Sequence, residues 1–215
     1  MYNNYRGTEM VEKLSNKILC FLINDDKIDS EKKEVLLFGI TRIVEDIPKT
    51  IGIVLIGILL NIIKEMLIVT TVIMLYKTFV GGVHAKTNFG CFISSVIFYL
   101  AIIYISKFFY FENEKVYILL VVLNYIFSLY CIWVYAPADV PEIPKVNEKL
   151  RKRTKISAIL MLNAIYIVTL VVIKDSMIQR LVMLSIFSIN LMTTRTMYNL
   201  FKNEYGYETY FPYDE

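Results

Sequence analysis

The chain contains one histidine, His84, and Cys91 follows it by seven residues. A cysteine reacts as its thiolate, and a neighbouring imidazole can take the thiol proton and stabilise the anion. The pair therefore has the residue types that a cysteine protease needs. On a continuous helix, seven residues rise about 10.5 Å, whereas proton transfer needs about 3 Å between the thiol and the imidazole. The backbone between the two residues must therefore bend.

The glycines around this pair permit such a bend. Gly81 and Gly82 precede the histidine and Gly90 precedes the cysteine, and glycine adopts backbone conformations that other residues avoid. We expect a non-helical or re-entrant stretch around residues 77–91. Such backbone lies at membrane depth only where it is buried in protein or faces water. A simpler alternative stays open, in which the histidine is an interfacial residue and the cysteine packs at a helix start.

The other reactive residues argue against several kinds of site. The cysteines Cys20, Cys91 and Cys131 are at least forty residues apart, so no CxxC motif or disulfide framework is available. One histidine cannot build a multi-histidine metal site, and the chain has no HExxH pair. We therefore expect no metal and no cofactor, and we expect Cys20 and Cys131 to be packing residues.

The composition predicts a membrane protein. The chain of 215 residues is 56% hydrophobic, its mean hydropathy is +0.53, and its charged residues are clustered in blocks, which is well beyond the apolar share of a soluble domain. Its first 45 residues are amphipathic and charged, so we expect no cleavable signal peptide. The net charge of +3 is small, and we expect no nucleic-acid partner.

The apolar segments predict an all-α integral membrane protein with about six transmembrane helices. Two of the apolar runs, 51–63 and 66–76, are shorter than the roughly 20 residues that a crossing helix needs, so flanking residues must extend them. The expected spans are 47–63, 66–80, 92–111, 116–135, 156–173 and 177–194.

The residues before these spans predict amphipathic helices. Residues 5–24 either pack on the rest of the protein or lie on the membrane surface. Asp29 or Ser30 caps a second helix that ends near Pro48. We divide the chain into interfacial helices (1–48), a membrane domain with the active site (49–200) and a cytoplasmic tail (201–215).

The basic residues predict the orientation of the spans. With the N-terminus in the cytoplasm, eighteen of the 23 Lys and Arg residues lie on the cytoplasmic side, as the positive-inside rule requires. Both termini are then cytoplasmic. The run KLRKRTK at 149–155 is the strongest anchor.

Two motifs carry a family resemblance: GGVHA at 81–85 with Cys91 following, and YAPAD at 135–139 with a proline and a basic cluster after it. Together they resemble the accessory gene regulator B (AgrB) family, integral-membrane cysteine endopeptidases of bacterial peptide quorum sensing. The resemblance implies that Cys91 is the nucleophile and His84 the general base, and that Gly82 matches a glycine of the family motif.

Lys77 departs from the family pattern, which typically has an arginine seven residues before the histidine. The charge is kept, but bidentate hydrogen bonding is lost. We assign Lys77, Gly81 and Gly82 to substrate or structural support. The residue that orients His84 is not identified; the unranked candidates are Asn88, Glu34, Glu45 and Asp46.

By this resemblance, the protein cleaves a small amphipathic propeptide at the junction of its signal segment and acidic tail, through a thioester on Cys91. The signal segment then cyclises to a thiolactone or lactone. The resemblance further implies a homodimer in the plasma membrane of a bacterium, in contact with lipid.

Two points stay open at this stage. The cluster Lys149, Arg151, Lys152, Arg153 and Lys155 either only anchors the topology or also attracts the acidic tail of the substrate. The main alternative function is a non-enzymatic membrane peptide exporter or sensor subunit, and a metal-dependent protease is a more distant one.

Overall fold

The computed structural model describes residues 9–22, 30–83, 85, 87–109, 113–139 and 147–210. These residues form nine α-helices, and a π-helical turn, Val168–Val172, extends the sixth. The only β-pairing among them is an isolated parallel bridge between Gly81 and Ala138. The expected all-α class is confirmed for this part of the chain. The helices are α1 Glu9–Leu22, α2 Ser30–Leu59, α3 Ile63–Val80, α4 Asn88–Phe108, α5 Glu114–Tyr135, α6 Glu148–Ile167, α7 Ser176–Met192, α8 Arg195–Leu200 and α9 Gly206–Tyr210.

The chain divides into two compact units, Met1–Leu60 and Asn61–Glu215. In the first unit α1 packs on α2, with Ser15 and Leu19 buried, whereas Phe21 and Leu22 are exposed. The amphipathic helix predicted at 5–24 is present where the chain is described, from Glu9 to Leu22.

The second helix does not end near Pro48, as the sequence suggested, but continues through it to Leu59. A proline inside a helix removes one backbone hydrogen bond and costs about 3 kcal/mol. The apolar residues 51–59 that follow favour continuation, because backbone groups in an apolar environment must be paired within the helix.

The break between α2 and α3 lies a few residues earlier than expected. The sequence suggested Lys64-Glu65, whereas the chain turns at 60–62, with Asn61 at a φ of 56°. Asparagine is one of the few residue types that adopts this left-handed conformation readily. Glu65 then lies in the first turn of α3 and forms an ion pair with Lys107 of α4 at 2.8 Å.

Within the part of the chain that the structure describes, three helices are long and apolar enough to cross a membrane: Asn88–Phe108, Glu114–Tyr135 and Glu148–Val172. Helix α7 is apolar but shorter, at 17 residues. The protein is thus a helical membrane protein, and the count of six spans stays a prediction.

Helix α7 is the centre of the second unit and packs against α3, α4 and α5, while α6 packs against α3 and α5. A buried polar network crosses this apolar core. Tyr76 Oη of α3 donates a hydrogen bond to Asn190 Oδ1 of α7 at 3.1 Å, and Asn190 Nδ2 donates to Ser128 Oγ of α5 at 2.8 Å. The network therefore ties three helices together.

Candidate functional site

Cys91 lies in the first turn of α4, four residues after the N-cap residue Thr87. Thr87 Oγ1 accepts a hydrogen bond from the Gly90 N–H at 3.0 Å, and the Cys91 N–H donates to the Thr87 carbonyl at 2.9 Å. The three cysteines differ in exposure: Cys20 is exposed, Cys131 is buried, and Cys91 is half-buried. The start of a helix carries partial positive charge, which favours a nearby anion.

The described residues between α3 and α4, namely 81–83, 85 and 87, are non-helical, as the glycines predicted. Helix α3 ends at Val80, and Gly81 and Gly82 have φ angles of 82° and 130°, which non-glycine residues rarely adopt. A Cβ on Gly81 would overlap the carbonyl oxygen of Ala138. Gly81 therefore has no room for a side chain. The depth of this segment in a membrane, and with it the re-entrant interpretation, stays a prediction.

Lys77 supports this turn. Its Nζ lies 3.4 Å from the carbonyl oxygen of Val83 and donates a hydrogen bond to it. The Lys77 carbonyl also accepts the N–H of Gly81 at 2.8 Å. Lys77 thus lies against the backbone of residues 81 and 83, and its assignment to substrate or structural support stays a prediction.

Three backbone hydrogen bonds hold residues 80–83 in place. The Ala138 N–H donates to the Val80 carbonyl and the Gly82 N–H donates to the Ala138 carbonyl, both at 2.9 Å. The Val83 N–H donates to the Met192 carbonyl, at the end of α7, at 3.1 Å. The segment is therefore fixed to two other parts of the second unit.

Ala85 lies close to the start of α4. A Cβ on Gly90 would lie 3.6 Å from the Ala85 Cβ and 2.8 Å from Thr87 Oγ1. Gly90 thus leaves room for the threonine cap. Ala85 packs beside the residue that precedes Cys91.

His84 and Lys86 lie outside the described residues, so the pairing of His84 with Cys91 stays a prediction. Among the residues proposed to orient the histidine, Asn88 lies three positions before Cys91 on the same helix, a spacing that brings side chains onto one face. Glu45 is buried in the first unit, and Asp46 pairs with Lys49 at 2.9 Å. The side chain of Glu34 also lies outside the described part.

The YAPAD segment is the part of the site whose role the sequence did not indicate. Its last residue, Asp139, is buried, and its Oδ2 forms an ion pair with Arg151 Nη1 at 3.0 Å. The Asp139 carbonyl accepts a hydrogen bond from Tyr198 Oη at 3.0 Å, and its Oδ1 accepts one from the Tyr207 N–H at 3.4 Å. These partners are 12, 59 and 68 residues away along the chain, so no local spacing signals them.

The predicted cytoplasmic tail is packed against the second unit as far as it is described. Tyr205 Oη donates a hydrogen bond to the Thr193 carbonyl at 2.6 Å, and its ring stacks on that of Tyr198 with centroids 4.0 Å apart. Burial raises the pKa of the Tyr205 phenol, so the hydroxyl keeps the proton that it donates.

The basic cluster separates into two groups. Lys149, Lys152 and Arg153 are exposed. Arg151 binds Asp139 and lies over the Tyr207 ring, 4.2 Å from its centroid. Lys155 Nζ donates to the Trp133 carbonyl at 2.7 Å. The first group is thus exposed, whereas Arg151 and Lys155 form contacts within the protein.

Comparison with known proteins identifies the family of the chain. The family model described as "Accessory gene regulator B" matches residues 15–196. "Putative AgrB-like protein 1" of Clostridium perfringens is 27% identical over 194 residues, which cover 90% of this chain and 99% of the relative.

Two further relatives show the same likeness. "Putative AgrB-like protein" of Clostridium acetobutylicum is 27% identical over 94% of this chain and 95% of its own length. "Accessory gene regulator protein B" of Staphylococcus aureus strain Newman is 28% identical over 62% of this chain and 68% of its own. No solved structure matches the chain.

Proposed function

Because the chain belongs to the accessory gene regulator B family, we propose that it is a membrane cysteine endopeptidase that processes an autoinducer propeptide of peptide quorum sensing. Cys91 is the nucleophile and His84 is the general base. The enzyme is a multi-pass protein of the bacterial plasma membrane with six spans and both termini in the cytoplasm. It acts as a homodimer.

The observation that carries this proposal is the packing of Ala85 beside the first turn of α4. A Cβ on Gly90 would lie 3.6 Å from the Ala85 Cβ, and Gly90 is the residue before Cys91. Ala85 follows His84 directly in the chain, and Gly90 directly precedes Cys91. The packing of Ala85 therefore supports the proposed pairing of His84 with Cys91.

The chemistry proceeds in two acyl transfers. His84 takes the proton of Cys91, and the thiolate attacks the carbonyl carbon at the junction of the signal segment and the acidic tail. The peptide C–N bond breaks, the tail leaves as an amine with the proton from His84, and the signal segment remains as a thioester on Cys91. A thiol or hydroxyl of the signal segment then attacks this thioester. A thiolactone or lactone forms, and Cys91 recovers its proton.

The exposed group of basic residues, Lys149, Lys152 and Arg153, attracts the acidic tail of the propeptide. Their exposure supports this role, because side chains that carry no ion pair with a described residue are accessible to an incoming carboxylate. Arg151 has a different role, since its guanidinium already binds Asp139.

The test combines single variants with a trapping substrate. Cys91→Ala and His84→Ala should each abolish cleavage of the co-expressed propeptide, and the double variant should be little worse than either, because members of one catalytic unit are not additive. Cys20→Ala and Cys131→Ala are the matched controls and should keep activity.

A propeptide whose internal nucleophile is replaced by alanine cannot close the ring. A hydroxylamine-sensitive adduct of the signal segment should then accumulate on the protein, with the tail released. Cleavage that persists in Cys91→Ala would refute the assignment of Cys91 as the nucleophile. Cleavage without any adduct would indicate direct hydrolysis in place of acyl transfer.

A further inference from the structure

We infer that Asp139 is a positioning residue that links the C-terminal segment, residues 198–207, to the backbone before His84. This inference rests on the proposed function, because the segment it positions leads into the catalytic pair. The link runs through two consecutive residues, Ala138 and Asp139, which face different partners.

Ala138 holds the segment that precedes the histidine. Its N–H and its carbonyl both form hydrogen bonds with residues 80–82 at 2.9 Å, in a parallel bridge centred on Gly81. Ala138 is buried together with Val83 and Tyr198. A shift of Ala138 must therefore move residues 80–83 or break these bonds.

Asp139 in turn forms hydrogen bonds with four other residues. Arg151, in the first turn of α6, binds one carboxylate oxygen at 3.0 Å, and the Tyr207 N–H binds the other at 3.4 Å. Tyr198 Oη and the Gly206 N–H bind the backbone carbonyl at 3.0 and 3.4 Å. The side chain of Asp139 is only 1% exposed.

The C-terminal segment is thereby part of the framework of the site. A buried carboxylate that loses its partner is strongly unfavourable, so this ion pair fixes where Ala138 lies. Catalysis is sensitive to such placement, because a misplacement of about 1 Å can lower a rate about 100-fold. The effect on the reaction should therefore appear in kcat, since Asp139 acts through the backbone and not on the substrate.

The test measures kcat and KM for the propeptide, together with hydrogen exchange of the peptide that contains residues 80–83, in detergent-solubilised full-length protein. Asp139→Asn should lower kcat about 10- to 100-fold, leave KM unchanged, and speed the exchange of the Gly82 and Val83 amides. Truncation after Phe201 should give the same pattern. Tyr198→Phe, which removes one hydrogen bond, should give a smaller decrease in kcat and a smaller increase in exchange.

Two further variants distinguish positioning from general destabilisation. Arg151→Gln combined with Asp139→Asn removes both charges and should restore part of kcat, because no uncompensated buried charge remains. Arg195→Gln breaks the exposed ion pair between Arg195 and Glu208, which flank this segment, and should change neither kcat nor exchange.

The inference fails if Asp139→Asn keeps its kcat, if the loss falls entirely on KM, or if the exchange of residues 80–83 is unchanged. Its failure is distinct from that of the proposed function. If only this inference fails, Cys91→Ala is inactive while Asp139→Asn is normal. If the proposed function fails, Cys91→Ala remains active. The exchange measurement tests the link in either case, because it needs no activity.

Discussion

At the scale of single residues, the site depends on backbone conformations that only glycine adopts easily. Gly81 has a positive φ and lies against the carbonyl of Ala138, so there is no space for a Cβ. Gly39, in α2, has nothing within 4 Å of the position where a Cβ would lie. The two glycines are therefore a natural pair for a controlled comparison.

Gly81→Ala should abolish or strongly reduce processing, because a positive φ costs a non-glycine residue about 1–3 kcal/mol and the Ala138 bridge must also separate. Gly39→Ala should keep full activity and should stabilise α2 by up to about 1 kcal/mol. Processing of the propeptide at equal protein levels measures the difference. Wild-type activity in Gly81→Ala would contradict the backbone geometry described for residues 80–83.

At the scale of helices, the second unit is joined by a polar network inside an apolar core. Tyr76, Ser128 and Asn190 come from α3, α5 and α7, and all three side chains are buried. Buried polar groups need partners, because a donor without an acceptor costs about 1–3 kcal/mol. The network therefore favours one arrangement of these three helices.

Asn190→Leu should destabilise the unit by about 1–3 kcal/mol, because Tyr76 Oη loses its acceptor and Ser128 Oγ its donor. Tyr76→Phe should remove part of the same energy, so a double-mutant cycle should give a coupling of about 0.6–1.7 kcal/mol. Reversible unfolding in mixed micelles measures these differences. Asn199→Leu, on the exposed surface of α8, is the control and should have little effect on stability. Additive effects of Asn190→Leu and Tyr76→Phe would contradict the hydrogen bond between these two side chains.

At the scale of the whole molecule, the basic residues of the cluster fall into two groups whose proposed roles can be tested separately. Lys149, Lys152 and Arg153 are exposed, whereas Arg151 is bound to Asp139. Exposed charges act over about 8 Å at physiological salt, and a higher salt concentration screens them more strongly. Attraction of an acidic tail should therefore depend on salt, while the Arg151 ion pair is more sheltered.

Replacing Lys149, Lys152 and Arg153 together by Gln should raise KM for the propeptide and flatten its dependence on salt, with kcat largely kept. Arg151→Gln should instead lower kcat. Steady-state cleavage at two or more salt concentrations separates the two outcomes. An unchanged KM in the triple variant would restrict these residues to anchoring the topology.

Orientation in the membrane gives a second prediction at this scale. Helix α5 has 22 residues, so its ends are about 33 Å apart at 1.5 Å per residue. A cysteine in place of the exposed Glu114 should react with a membrane-impermeant maleimide from outside the cell, and one in place of Lys149 only from the cytoplasm. Each is placed singly in a variant without native cysteines. Labelling of both from the same side would show that the predicted span count is wrong.

The sequence by itself determined the class of protein, most of the helices and the candidate nucleophile. These are local properties, because apolar runs, glycine pairs and the spacing from His84 to Cys91 can be read within a few residues. The predicted helix ends were less accurate where neighbouring residues favour different conformations. Helix α2 continues through Pro48, and the chain turns at Asn61, before Lys64.

Only the tertiary structure decided what holds the candidate site in place. Residues 80–83 are fixed by Ala138 and Met192, and Asp139 is fixed by Arg151 and by a C-terminal segment that the sequence suggested was a tail. Hydrogen bonds and ion pairs between residues so far apart in the chain leave no periodic pattern. They form only when the packing of apolar helices has brought their partners together.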